Sequence, residues 1–310
     1  MLNYAEGEKY VGKFLKTIAI QGLYKESVNN FDVLINAIEK VGSYSWYDGV
    51  EFFYNGTWNE YDDIKKCLDK YNLESVFLAG YDIKTNGLDI GSSDLAQRKR
   101  AIDGIKHWID VSGYLDSVKM LIMSGPAAEQ GHRDSAFSNT VNSLMELCDY
   151  NKNARLEITL EFFNDRGEPY LLIGPSGITA DLARQIVNKY DNFGITYDLS
   201  HVIQLKEDVE HSLIKLHDYT NHIHIANCVI NDKLSSFFGD KHPPFGIEGS
   251  EVSEKEVLSF LKMVKQIYGD KDDVIIGMEV AAPEGVSPDN LLESLTQLFV
   301  KCFNSVFYEK

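Results

Sequence analysis

Short apolar segments alternate with helix-length stretches eight times along this chain, and that alternation permits few folds. The segments are residues 15–21, 50–54, 75–81, 118–124, 156–162, 194–199, 222–226 and 274–280. They are rich in Ile, Val, Leu and Phe and bounded by Gly, Asn, Asp or Ser, as buried parallel strands are. Between them, Ser93-Asp94 offers an N-cap to a stretch carrying Leu95, Ile102, Ile105 and Trp108. Other helical patterns run from Asp134 through Leu147, from Pro175 through Ile186, from Val252 to Tyr268 and from Pro288 to Phe303. With no Pro/Gly/Ser-rich linker, the alternation predicts an α/β protein, a single (β/α)8 barrel over residues 1–310. The longest connection without a helical pattern, at about 227–249, follows the seventh strand, on the face where barrel active sites lie.

Charge and cysteine content narrow the chemistry. A formal net charge of −17 argues against a nucleic-acid surface, which needs clustered Lys and Arg. It suits a small, neutral or metal-held substrate. Cys67, Cys148, Cys228 and Cys302 are scattered without CxxC spacing, so neither a disulfide framework nor a zinc knuckle is expected. The opening residues, MLNYAEGEKYVGK, mix charges early and show no apolar signal core. No apolar stretch is long enough to cross a bilayer. A cytoplasmic protein without a membrane partner is expected.

The last four strands each end in a side chain that can ligate a metal. Glu161 closes LEITLE, Asp198 follows the apolar part of FGITYD, His224 stands near the end of HIHIAN, and Glu279 closes IIGME. Parallel barrel strands bring their C-terminal ends to one mouth, so these four can meet around one ion. A carboxylate ending an apolar strand is costly to bury unless paired or metal-bound. The plain alternatives are a rim salt bridge for Glu161 or Glu279, a helix N-cap for Asp198, and a hydrogen-bonded core imidazole for His224. Carboxylates with one or two imidazoles suit Mn²⁺, Mg²⁺, Co²⁺ or Zn²⁺, among which affinity order alone does not choose. His201, three residues after Asp198, can reach the same cavity. His222 points the same way as His224 and supports the layer below. His242, in the stiff GDKHPPFG loop, can stand over the mouth as an acid/base, and His132 is a weaker candidate. Tyr54, Trp58 and Phe245 can stack on a sugar face or line the rim. His107, His211 and His217 fall in helical patterns and read as structural. No GxGxxG, Walker loop or GxSxG is present.

These motifs, LEITLEFF, YDLSH, HIHIAN and GMEV, resemble those of the xylose-isomerase-like TIM-barrel superfamily of sugar isomerases, epimerases and related lyases. The resemblance implies a Glu-Asp-His-Glu metal site at Glu161, Asp198, His224 and Glu279. It implies proton transfer by Glu161 and Glu279 beside a sugar carbonyl, and substrate contact by His201. Ketose 3-epimerases carry an arginine soon after the metal histidine, whereas this chain reads Ala226-Asn227-Cys228-Val229-Ile230. The stretch NCVINDK…GDKHPPFGIEG is similar to the larger subunits of C-glycoside deglycosidases. Those are lyases that cleave the carbon–carbon glycosidic bond of a 3-oxo-glycoside and work with a small β-rich partner subunit. A homo-oligomer and a catalytically silent sugar-binding scaffold are the other outcomes considered. Asp240-Lys241-His242 resembles an Asp-x-His pair of AP endonucleases. However, the third and fourth strand ends, Ala79-Gly80-Tyr81 and Met123-Ser124-Gly125, lack the further histidines those enzymes need.

Overall fold

The computed structural model describes residues 14–152, 155–164, 170–269 and 271–308. The opening segment, on which the leader expectation rests, lies outside them. Eight strands close into a parallel barrel in sequence order. They are β1 (Phe14–Ala19), β2 (Gly49–Phe52), β3 (Glu74–Phe77), β4 (Lys119–Met123), β5 (Glu157–Glu161), β6 (Phe193–Asp198), β7 (Thr220–Ile225) and β8 (Val274–Glu279). All eight predicted segments are strands, so the alternation was read correctly. Each stops one to four residues sooner than expected. The third stops at Phe77 because Gly80–Thr85 turns into a helix, which takes in Tyr81.

The strands read as continuous apolar runs because they are buried on both faces; every residue of β2, β4 and β6 is buried. Helix starts follow local chemistry. Asp94 caps Leu95–Tyr114 by accepting from the Ala96 and Gln97 N–H groups. Thr57 and Glu60 form a capping box at Trp58–Tyr71, as do Ser253 and Glu256 at Glu254–Tyr268. Pro288 opens the last helix, Pro288–Phe307, behind the N-cap Ser287. His107 and His211 lie in helices, and His217 caps the end of one. Among the described residues, no helix is long and apolar enough to cross a membrane.

The chain divides into two compact units, residues 1–74 with 223–310, and residues 75–222. In the first, β1 pairs along its whole length with β8, from Phe14↔Val274 to Ala19↔Glu279, and its end pairs with β2 at Ala19↔Glu51. In the second, β4, β5 and β6 run in register, with Met123↔Glu161 and Glu161↔Thr196.

Candidate functional site

In the first unit, the register sets two carboxylates level with each other. Ala19, a small residue, is the partner of both Glu51 and Glu279. His224, on β7 and 1% exposed, reaches both. Its Nε2 lies 2.8 Å from Glu51 Oε2 and its Nδ1 lies 2.9 Å from Glu279 Oε2. The loop at 227–249 contains no helix, as expected, and returns to this point. Asn227 ties its two ends: Oδ1 accepts from the Cys228 and Val252 N–H groups, and Nδ2 donates to Pro244 O. Gly239 and Gly246 adopt φ of +82° and +73°, which makes the turns that a side chain would strain. Between them His242, itself at φ +42°, accepts the Ala281 N–H on its carbonyl. Its ring bridges Asp240 Oδ1 (2.8 Å from Nε2) and Glu279 Oε2 (3.5 Å from Nδ1).

The electrostatics follow from these contacts. Burial pushes the His242 imidazolium down, but Glu279 and Asp240 outweigh it, so the ring stands well above the ordinary histidine pKa. Burial pushes Glu279 up, but His242 and His224 outweigh that and hold its carboxyl well below the usual carboxylate range.

In the second unit, Glu161 is 5% exposed at the end of β5, with Oε1 3.7 Å from His201 Nδ1. Asp198 is fully buried at the end of β6 and is the N-cap of Leu199–Leu205. Its Oδ1 accepts from the Ser200 N–H (2.6 Å), the Ser200 hydroxyl (2.6 Å) and the His201 N–H (3.1 Å). The cap reading considered for Asp198 is therefore real, and it uses one of the two carboxylate oxygens. His201 Nδ1–H donates to Phe162 O at 2.9 Å and its ring packs on Phe163, which orients Nε2 away from the backbone. One layer down, the Thr159 and Thr196 hydroxyls lie 2.8 Å apart, and His222 Nδ1 is 3.1 Å from Thr196. His222 hydrogen-bonds within that lower layer.

The weaker candidates fare differently. His132 is exposed just before a helix. The Tyr54 hydroxyl is held by Glu60 (3.0 Å), and Trp58 is half exposed. Cys228 is buried, as are the other three cysteines. One member of the cluster was missed from the sequence: Glu51. Its signal was present, because GVEF is also an apolar strand run containing a lone carboxylate. Among the described residues, His, Asp and Glu side chains gather closely enough to hold a metal ion.

The sequence pattern described as the xylose isomerase-like TIM barrel matches residues 35–295. The chain belongs to that family. No curated protein matches it by sequence. Solved structures share the fold at low identity. A D-tagatose 3-epimerase-like protein superposes with a TM-score of 0.69 at 20% identity, over 94% of this chain and 98% of that one. The IOLI protein with a binding zinc atom gives 0.72 at 15%, over 95% and 100%. The 3-keto-D-glucoside 4-epimerase YcjR from E. coli gives 0.67 at 15%, over 92% and 99%.

Proposed function

We propose that the chain is a divalent-metal-dependent sugar-transforming enzyme of isomerase or epimerase type. It would abstract a proton α to a carbonyl of a keto- or oxo-sugar. Glu161, Asp198, His224 and Glu279 hold the ion. One observation carries this reading: His224 Nδ1 and Glu279 Oε2 stand 2.9 Å apart, and the paired strands β5 and β6 end in the buried carboxylates Glu161 and Asp198. The donor set fits the group. Three carboxylates and one imidazole, without a thiol, suit a hard or borderline divalent cation, with Mn²⁺ the first choice. The zinc named for the IOLI protein and the sugars named for the epimerases support the same class by fold.

Bound there, the ion supplies Lewis-acid polarisation of the substrate carbonyl. The chain's own residues move the proton. Glu161 or Glu279 takes it from the carbon and returns it. The Phe162 carbonyl holds the His201 ring, so its Nε2 orients a substrate oxygen. His242, carried on the loop and backed by Asp240, serves as a second acid/base or clamps a hydroxyl. Burial of Glu161 and Asp198 keeps these charges out of bulk water, where they would act more weakly.

The test is incubation of the metal-loaded protein with free ketoses and with a 3-oxo-glucoside in deuterated water, read by mass spectrometry. Metal content is measured in parallel. Deuterium uptake without loss of mass is the expected result. Release of an aglycone would instead assign the lyase chemistry of a C-glycoside deglycosidase, and co-elution with a small second chain would agree with it. No stoichiometric metal and no exchange would leave a sugar-binding scaffold and overturn the proposal.

A further inference from the structure

We propose that Glu51 is the positioning residue for the metal-ligating imidazole of His224, an inference that rests on the metal reading above. Glu51 sits on β2 with no solvent exposure. A carboxylate so placed is costly unless strong donors meet it. Two do, one for each oxygen. The Thr17 hydroxyl donates to Oε1 at 2.5 Å, and His224 Nε2 lies 2.8 Å from Oε2.

The space for this carboxylate is built into the neighbouring strand. Thr17 pairs in register with Gly277 on β8. A Cβ at Gly277 would stand 2.2 Å from Glu51 Oε1 and 2.7 Å from Thr17 Oγ1. Any side chain there would displace the carboxylate, so β8 has a glycine beside Glu51 and, two residues later, Glu279. Both glycine and carboxylate serve one arrangement.

The consequence for His224 is directional. With Nε2–H committed to Glu51, Nδ1 is the nitrogen left to give up its proton and ligate, and it faces Glu279 at 2.9 Å. That spacing is close to the roughly 3 Å between adjacent ligands of an octahedral ion with bonds of about 2.1 Å. A carboxylate behind a ligating imidazole fixes the ring's tautomer and angle and strengthens the ring as a donor. Glu51 thus prepares the ligand without being one.

The test measures metal affinity on purified, metal-stripped protein by calorimetry with Mn²⁺, together with the visible spectrum of the Co²⁺-loaded form. The variants are Glu51→Ala and Glu51→Gln. Glu51→Ala is expected to weaken Mn²⁺ binding about 10- to 100-fold, with one ion still bound at saturation and the Co²⁺ bands unmoved. Glu51→Gln keeps an oxygen that can accept from Nε2–H, so it should recover part of the loss. If Glu51→Ala fails to fold, Glu51→Gln alone still tests the inference, with an affinity below wild type expected. Wild-type affinity in both variants would overturn it. So would a changed Co²⁺ spectrum at saturation, because Glu51 would then be a ligand itself. A wild-type protein that takes up no divalent ion would overturn the metal reading and this inference together, whereas a metal-binding wild type matched by its variants would overturn this inference alone.

Discussion

The two ends of the strands pair their carboxylates in opposite ways, and β5 shows both. At its start, Glu157 receives the Lys119 ammonium at 2.7 Å and the Asn221 amide at 2.5 Å. At its finish, Glu161 stands beside the His201 imidazole. The same contrast appears on the strands of the first unit. Lys16 of β1 pairs with Asp48 just before β2, while Glu51 and Glu279 at the far ends meet His224 and His242. A lysine ammonium has three donors and no lone pair, so it can hold a carboxylate but cannot join it on a cation. An imidazole can instead give up a proton and offer a lone pair. One end of the strands is therefore tied by ion pairs, while the other carries side chains that could hold a metal ion.

The sharpest test of that contrast replaces Glu161 with Gln. Turnover should fall about 10³-fold or more, because a general base is worth roughly 10²- to 10⁴-fold and a metal ligand is lost with it. The melting temperature should change little. Activity within tenfold of wild type would show that Glu161 is another structural carboxylate, no different in kind from Glu157.

Gly277→Ala ranks next. The added methyl would meet Glu51 Oε1 at 2.2 Å, so overpacking should cost about 1–3 kcal/mol and metal affinity should fall as Glu51 is pushed aside. Calorimetry and thermal melts read both effects. Unchanged affinity would separate the packing of Glu51 from the site.

Lys119→Met probes the lysine-paired end. It removes the cation from Glu157 while leaving a carboxylate that water can still reach. The expected cost is about 1–2 kcal/mol of stability, below the penalty for a fully buried pair, with metal affinity as in wild type. A matching loss of metal affinity would erase the distinction between the two ends.

The sequence reveals more of the imidazole-paired end than of the lysine-paired one. The eight apolar runs announce the barrel because a strand buried on both faces has little choice but Ile, Val, Leu and Phe. Glu161, Asp198, His224 and Glu279 stand out because each interrupts such a run at its end. Glu51 carries the same signal, but its strand is four residues long and belongs to the first half of the chain, away from the other four. Its role depends on Thr17 and Gly277, which are ordinary residues in a strand until register brings them together. The double duty of Asp198, as helix cap and candidate ligand, was legible only as two competing readings. A carboxylate has two oxygens, and a sequence does not divide them. The seat of His242 was also hidden, since it depends on Asn227 closing a loop over 25 residues.

The smallest expected effect concerns that loop and depends on pH. In metal-stripped protein, the ring of His242 joins the loop to Glu279 through charge. His242 is raised above its ordinary value of 6.5, so its contribution is complete below about that pH and is lost as pH rises through the raised value. Glu279 is lowered below its ordinary 4.5, so its contribution is complete above about that pH and is lost as pH falls through the lowered value. The difference in melting temperature between wild type and His242→Ala should therefore be widest between about pH 4.5 and 6.5 and should narrow on both sides. The stability difference behind it should be on the order of 1 kcal/mol, since the ring is still partly reached by solvent. Bound metal should flatten the profile, because Glu279 would then be committed to the ion rather than to the ring. A difference that ignores pH in the stripped protein would mean that His242 holds the loop by packing alone. The imidazole-paired end of β8 would then be as fixed as the lysine-paired end of β5.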